Sequence, residues 1–208
     1  MRVTSFLLVT VSLFLAAFTA SAAAQNIPSD VYKVDYFSNA NTAGAPDGTL
    51  RMTNPGTTAA TNLCAYIAVF DPYEEMSECC GCLVTPDGLA TLSVNTDLTS
   101  NPVTGVVLQT GVIKIVSTLP APGNTCPLPT NTGGGGGTDA SLPTLAPAIR
   151  SWSTHIQSNG TGYVETEGAS QYSNLSKQEL FNLGQQCASI VLVGSGKGIC
   201  SCGTGGNT

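Results

Sequence analysis

The cysteines constrain this chain more than any other feature, and three of them stand together in the stretch Cys79-Cys80-Gly81-Cys82. A disulfide between the neighbours Cys79 and Cys80 would close a strained ring, because adjacent Cα atoms are held only about 3.8 Å apart. In an extended strand successive side chains point to opposite faces, so we expect Cys79 on one face and Cys80 with Cys82 on the other. The cluster is therefore predicted to tie together segments that lie on both sides of one strand.

The chain contains eight cysteines, and an even number is typical of complete pairing in an exported protein. Five of them precede the glycine run at residues 133–137 and three follow it, so complete pairing requires at least one disulfide across that run. The best local pair is Cys187 with Cys200 or Cys202. The predicted disulfide cysteines are Cys64, Cys79, Cys80, Cys82, Cys126, Cys187, Cys200 and Cys202.

Residues 1–24 have the pattern of a secretory signal peptide. Arg2 precedes an apolar core over residues 6–18, and small residues end at Ala24. The apolar core is too short for a stable membrane span, and no other long apolar run occurs. We therefore expect a secreted protein, located in the extracellular space, at a cell surface or in a periplasm.

Residues 25–119 are predicted to form the core of an antiparallel β-sandwich, immunoglobulin-like in general architecture. The run at residues 63–70 is apolar on both faces, which is typical of a central, buried strand. Pro86-Asp87-Gly88 predicts a hairpin between two flanking runs. About seven short strands are predicted in this part, at residues 31–37, 49–53, 63–70, 82–85, 89–94, 106–108 and 112–116.

The second part of the chain begins with a loop or linker at residues 120–147, which holds six prolines and five consecutive glycines. Residues 148–208 are expected to pack on the same domain, with strands at 148–157 and 162–166. Ser176 and Glu179 have the spacing of a capping box, which predicts one C-terminal helix that Gly194 would end.

Charge argues against nucleic acid as a partner. Without Arg2 the chain has six basic and thirteen acidic side chains, a net charge of −7, and no basic patch. Charged residues make up only 10% of the chain, against roughly 25% in ordinary domains. Such a surface gives little electrostatic protection against self-association, so we expect a homo-oligomer or filament, or a neutral partner such as a glycan. The strand at residues 31–37 could pair within its own sandwich or be donated to a neighbour.

Two kinds of metal site are alternatives. The cysteines of residues 79–82 could bind zinc with Glu75, Glu78 or Cys64, although the usual paired knuckles and histidine ligands are missing. An acidic loop could supply oxygen ligands for structural calcium, although its spacing matches no EF-hand and solvated carboxylates are the commoner explanation. The weak calcium candidates are Asp71, Glu74, Glu75 and Glu78.

Motifs for catalysis are sparse. His155 is the only histidine, and no G-x-S-x-G elbow accompanies it, so an ordinary strand histidine is the simpler interpretation. The carboxylate pairs available for glycoside hydrolysis are Glu165 with Glu167 and Glu75 with Glu78, but one tryptophan offers little platform for a sugar. Asn159 and Asn174 begin N-glycosylation sequons.

The sequence therefore favours a non-catalytic secreted structural or surface protein that acts by self-assembly, such as a filament subunit, or by binding. A secreted hydrolase and a metal-binding module are the alternatives.

Overall fold

The computed structural model describes residues 27–57, 61–130 and 144–203, so the predicted signal peptide and the glycine run lie outside it. The described residues form nine strands, one long helix and a five-residue π-helical turn at Val94–Leu98. The elements are β1 (Tyr32–Phe37), β2 (Thr49–Thr53), β3 (Leu63–Phe70), β4 (Met76–Val84), β5 (Leu89–Ser93), β6 (Gly111–Thr118), β7 (Arg150–Ser158), β8 (Tyr163–Ala169), β9 (Gln171–Tyr172) and α1 (Lys177–Val193).

The strands form two antiparallel sheets, which confirms the predicted sandwich with one C-terminal helix. Sheet A has the order β4-β3-β6-β1-β9, and sheet B has the order β5-β2-β7-β8. β1 pairs with β6 and β9 of its own sheet, so the N-terminal strand is internal here and is not donated. Both sheets combine strands from before and after the glycine run, since β9 pairs with β1 and β7 pairs with β2.

Sheet A is covered on both faces. Its inner face packs against sheet B around residues such as Leu50 and Ile67, and its outer face packs against α1 through Leu183 and Tyr66. Every residue of β3 is buried, which confirms the prediction of a central strand that is apolar on both sides. No helix within the described ranges is long and apolar enough to cross a membrane.

The predicted hairpin at Pro86-Asp87-Gly88 is wrong, because β4 and β5 belong to different sheets. The turn instead carries the chain from one sheet to the other, and the amide of Asp87 donates to Asn54 O at 2.7 Å. The predicted strand at residues 106–108 is also absent: that segment is irregular, and Leu108 O accepts a hydrogen bond from Asn41 Nδ2 at 2.9 Å. Residues 25–119 therefore hold six strands where about seven were expected.

α1 begins at the predicted cap, but only half of the capping box forms. Ser176 Oγ accepts from the amide of Glu179 at 3.0 Å. The carboxylate of Glu179 does not return to the cap; it accepts from Tyr32 at 3.2 Å and from Lys114 Nζ at 2.7 Å, and so fastens the helix to sheet A. The amide of Gly194 donates to Ile190 O at 2.7 Å and ends the helix where the sequence predicts.

Candidate functional site at the open edge of the sandwich

The two lateral sides of the sandwich differ, and one of them is closed by the C-terminal tail, residues 198–203. The tail runs beside β4, where the amide of Cys200 donates to Cys79 O at 3.2 Å. It then reaches β5, so closely that a Cβ on Gly203 would lie 2.2 Å from Thr91 O. The outer edges of β4 and β5 are therefore covered by the chain itself.

Disulfides fix the tail in this position. All eight cysteines are paired. Three of the four bonds join residues on opposite sides of the glycine run, where the cysteine count requires at least one. The pairs are Cys64–Cys126, Cys79–Cys187, Cys80–Cys200 and Cys82–Cys202.

The predicted local pair of Cys187 with Cys200 or Cys202 is wrong. Cys187 lies on α1, which covers the outer face of sheet A, whereas both tail cysteines reach the inner face of β4. This pairing follows from alternation along β4. Cys79 points outward to the helix, whereas Cys80 and Cys82 point inward to the tail. For the same reason the expected zinc ligand set, which required Cys79 on one site with Cys80 and Cys82, is not brought together.

The opposite side of the sandwich is open at β8. This strand pairs with β7 alone, and none of the described residues lies along its second edge. Most of β8 is exposed on both faces, and the side chain of Val164 is 44% exposed. A seven-residue strand with one unpaired edge is a template for pairing with another chain.

The hydrogen bonds of the β7–β8 ladder show which backbone groups of β8 point outward. The amide of Asn159 donates to Gly162 O at 3.1 Å, and the amide of Ser170 donates to Ser151 O at 3.0 Å. Hydrogen-bonded pairs alternate in an antiparallel ladder, so Val164, Thr166 and Gly168 turn their amides and carbonyls toward β7. The backbone groups turned to the open edge are those of Tyr163, Glu165 and Glu167, together with the amide of Ala169.

Two glutamates stand on this edge. Glu165 and Glu167 project from the same face of β8, because they are two residues apart. Glu167 forms an ion pair with Arg51 of β2 at 2.9 Å. Glu165 is exposed and has no ionic partner within the described ranges. As a hydrolytic pair the two carboxylates would sit on an exposed strand, one of them already engaged by a guanidinium group.

A polar cluster closes the inter-sheet space on the same side. His155 Nε2 lies 2.8 Å from Ser153 Oγ and 2.8 Å from Asp35 Oδ1, and Ser170 Oγ donates to Asp35 Oδ2 at 2.7 Å. Tyr36 stacks on the imidazole ring with centroids 4.1 Å apart. The cluster joins β1 of sheet A to β7 of sheet B.

This cluster has the residues of a catalytic triad but not its geometry. In a Ser-His-Asp relay the two ring nitrogens have separate partners, one for the serine and one for the aspartate. Here both contacts are made by Nε2 of His155. The side chain is 15% exposed, so His155 is more buried than the half-exposed strand histidine that the sequence predicts. Asp35 and Ser170 are missed by sequence reasoning because they lie 120 and 15 positions from His155, and no local pattern connects them.

The four calcium candidates are not brought together. Asp71 Oδ1 caps its own turn by accepting from the amides of Tyr73 and Glu75 at 2.8 and 2.9 Å. Glu74 has a positive φ of 69° and, with Asp71, borders a cleft of about 370 Å³ beside α1. Within the described part of the chain no three carboxylates have oxygens within 4.8 Å of one another.

Glu78, the fourth candidate, is buried on the inner face of β4. Its side chain is 0% exposed; Oε1 accepts from the amide of Asn101 at 2.9 Å, and Oε2 has no hydrogen-bond partner. Burial raises the pKa of Glu78 from 4.5 to about 7, although the Asn101 amide and the charge of Lys197 act in the opposite direction. Of the carboxylate pair considered for glycoside hydrolysis, Glu75 is exposed whereas Glu78 is buried.

The two sequons have different surroundings. Asn159 is exposed at the tip of the β7–β8 hairpin, where its Oδ1 accepts from the hydroxyl of Thr161 at 3.1 Å. Asn174 is exposed before α1, but the serine of its sequon, Ser176, serves as the helix cap.

Comparison with known proteins gives no family. No protein-family model matches the sequence, and no curated protein matches it. Among solved structures, the chain is similar to Thermotoga maritima 1070 with a TM-score of 0.42 and 8% identity, over 71% of this chain and 98% of that one.

Proposed function

We propose that this protein is a secreted, non-catalytic structural or surface protein that acts by binding: the open edge of β8 accepts an extended segment from another chain. The observation that supports the proposal is the asymmetry of the sandwich. One side is covered by the tail and its disulfides, whereas β8 offers unpaired backbone groups at alternate residues.

Addition of a strand to such an edge is an established mode of recognition. Hydrogen bonds between the main chains supply affinity, and alternate side chains supply specificity. Tyr163, Glu165 and Glu167 present both backbone groups to the edge, and their side chains project to the same face. A bound segment would therefore meet one tyrosine and two carboxylates at every second position.

The charge of the edge indicates the partner. A two-fold antiparallel pairing of β8 with a second copy, centred on Glu165 or Thr166, places Glu165 opposite Glu165 or Glu167 of the other chain. Like charges directly opposite each other destabilise a sheet. A segment with lysine or arginine at alternate positions would instead place opposite charges together, and it is the partner that we propose.

Self-assembly is the second candidate, and the low content of charged residues favours it. With β8 as the contact, both copies would use the same surface, which gives a closed dimer rather than the filament expected from the sequence.

The test uses the mature protein and a seven-residue peptide that alternates lysine with threonine. We expect the peptide to slow the amide hydrogen exchange of Glu165 and Glu167, because these amides gain acceptors. The matched control peptide carries glutamate in place of each lysine and should have no effect.

Two variants separate a backbone contact from a side-chain contact. Glu165→Pro removes an outward amide and should abolish binding while the ladder with β7 remains, since proline is tolerated at a free strand edge. Glu165→Ala keeps the amide and should only weaken binding. Equal binding by wild type and Glu165→Pro would disprove addition of a strand at β8.

The oligomeric state in solution tests the second candidate. The double variant Glu165→Gln/Glu167→Gln removes the repulsion, so light scattering coupled to gel filtration should detect a dimer if copies pair through β8. A monomer at all concentrations, for this variant and for wild type, rejects self-assembly through this edge.

A further inference from the structure

Two Cys-x-Cys pairs face each other, one on β4 and one on the C-terminal tail. The Sγ atoms of Cys80, Cys82 and Cys202 lie within 4.8 Å of one another, and Cys200 is bonded to Cys80. All four side chains are buried on the inner face of sheet A. Four sulfur atoms from two segments of the chain therefore share one small volume.

This spacing is near that of a tetrahedral thiolate site. Zinc–sulfur bonds of about 2.3 Å place the four sulfurs of such a site about 3.8 Å apart. The other cysteines are on the outer face of sheet A, and in the described part of the chain no third metal-binding side chain lies within 4.8 Å of a pair there.

Hydrogen bonds hold the tail beside β4 independently of the disulfides. Asn101 Nδ2 donates to the carbonyls of Gly196 and Ile199 at 2.8 and 3.1 Å. The amide of Ser201 donates to Asp97 O at 2.9 Å. None of these contacts involves a sulfur atom, so we expect them to keep the two Cys-x-Cys pairs opposite each other when the sulfur–sulfur bonds are open.

We propose that the protein, once these two disulfides are reduced, binds one Zn²⁺ through Cys80, Cys82, Cys200 and Cys202. Each disulfide gains two electrons from one phosphine molecule and two protons from one water molecule, and that phosphine takes up the oxygen of the water as its oxide. The zinc ion then replaces the four thiol protons, which pass to solvent. The ligand set differs from that predicted by sequence, since it excludes Cys79 and includes both tail cysteines.

Alkylation of the wild-type protein tests the ligand set directly. The mature protein is reduced anaerobically with a phosphine, incubated with or without zinc, and treated with iodoacetamide before peptide mapping. We expect zinc to abolish labelling of the four ligand cysteines, because a bound thiolate is a poor nucleophile. The four remaining cysteines should be labelled in both samples. Uniform labelling of all eight cysteines with zinc present would overturn the proposal, and so would protection of a different set.

Cobalt gives a second measurement that reports on geometry. Reduced wild type with Co²⁺ should show the visible bands of a tetrahedral site and strong charge transfer from sulfur. Cys82→Ser removes one ligand and should lose part of the charge-transfer intensity, whereas the control Cys64→Ser/Cys126→Ser should keep the full spectrum. A Cys82→Ser spectrum identical to that of wild type would count against the site. Neither experiment depends on β8, which lies on the opposite side of the sandwich.

Discussion

At Gly81 the strand β4 has no room for a side chain. A Cβ there would lie 2.4 Å from Cys126 O and 3.1 Å from the ring of Tyr66. This explains the glycine inside the cysteine motif: it admits the segment that the Cys64–Cys126 disulfide fastens to sheet A.

We expect Gly81→Ala to destabilise the protein by roughly 2 to 4 kcal/mol, because backbone atoms must move to accept the methyl group. Gly162→Ala is the matched control, since a Cβ at that turn position meets nothing within 4 Å. The midpoints of urea unfolding measure both effects. Equal midpoints for the two variants would mean that the backbone around Cys126 moves to accept the methyl group at little cost in free energy.

Glu78 makes stability depend on pH. Its folded pKa of about 7 exceeds the ordinary 4.5, so the folded state holds the proton more tightly than the unfolded state between these values. Stability should therefore fall as pH rises from 4.5 to 7, and level off above 7. Glu78→Gln removes this loss and should be more stable than wild type at pH 8 by up to about 3 kcal/mol.

The measurement is the difference in unfolding free energy between wild type and Glu78→Gln across this pH range. The difference should shrink below pH 4.5, where the wild-type carboxyl group is neutral in both states. A difference that is constant with pH would place the effect in packing rather than in protonation.

Along the strand β8, the rate of amide hydrogen exchange should alternate from one residue to the next. The amides of Val164, Thr166 and Gly168 donate to β7 and should exchange slowly, whereas those of Glu165 and Glu167 should exchange quickly. Hydrogen exchange followed by NMR in the free protein checks this pattern. Slow exchange at Glu165 without any peptide would indicate that the edge is already paired.

The cap of α1 should contribute measurably to the stability of the protein. Ser176→Ala removes the acceptor for the amide of Glu179 and should cost about 1 kcal/mol. Glu179→Gln should also destabilise the protein, because the carboxylate binds Lys114 and Tyr32 rather than the cap. If only Ser176→Ala lowered the midpoint of thermal unfolding, the contacts of Glu179 with Tyr32 and Lys114 would contribute little to stability.

Sequence pattern predicts most strands and the helix, because alternation and capping are local. Prediction from local pattern fails where the residue or strand that contacts a segment lies far along the chain. The turn after β4 contains residues typical of a hairpin, yet the strands on either side of it, β4 and β5, belong to different sheets. β1 shows its polar residues Lys33 and Asp35 on one face, and that face is buried because Asp30, His155 and Ser170 satisfy them.

The open edge could not be predicted from the sequence for the same reason. Tyr163 to Ala169 has the composition of any exposed strand, and its position at the margin of sheet B follows only from the pairing of β7 with β2. The cysteines are more informative than the strand composition. Their numbers before and after the glycine run require a disulfide across it, and side-chain alternation assigns the cysteines of β4 to its two faces.

The two tail disulfides should contribute non-additively to the unfolding free energy of the whole molecule. Both close loops of 120 residues, but each is nearly redundant when the other is present. Removing either pair by double serine substitution should cost about 2 kcal/mol. Removing the second should cost about 3 more by the chain-entropy model, because the remaining Cys79–Cys187 bond shortens the effective loop to roughly 15 residues. Guanidinium unfolding of both double variants and the quadruple variant measures this. Equal, additive losses would contradict a shared restraint.

The connectivity also dictates the order of events as the protein is made. Three of the four bonds require Cys187, Cys200 or Cys202, which the ribosome adds last. When residues 1–130 have been synthesised, five thiols are present, and only Cys64 and Cys126 have their partners available. The remaining three must wait as thiols or form wrong bonds that are later exchanged. Any wrong bond among these three cysteines must be opened by thiol–disulfide exchange once Cys187, Cys200 and Cys202 have been added, so we expect an isomerase to speed formation of the native pairs.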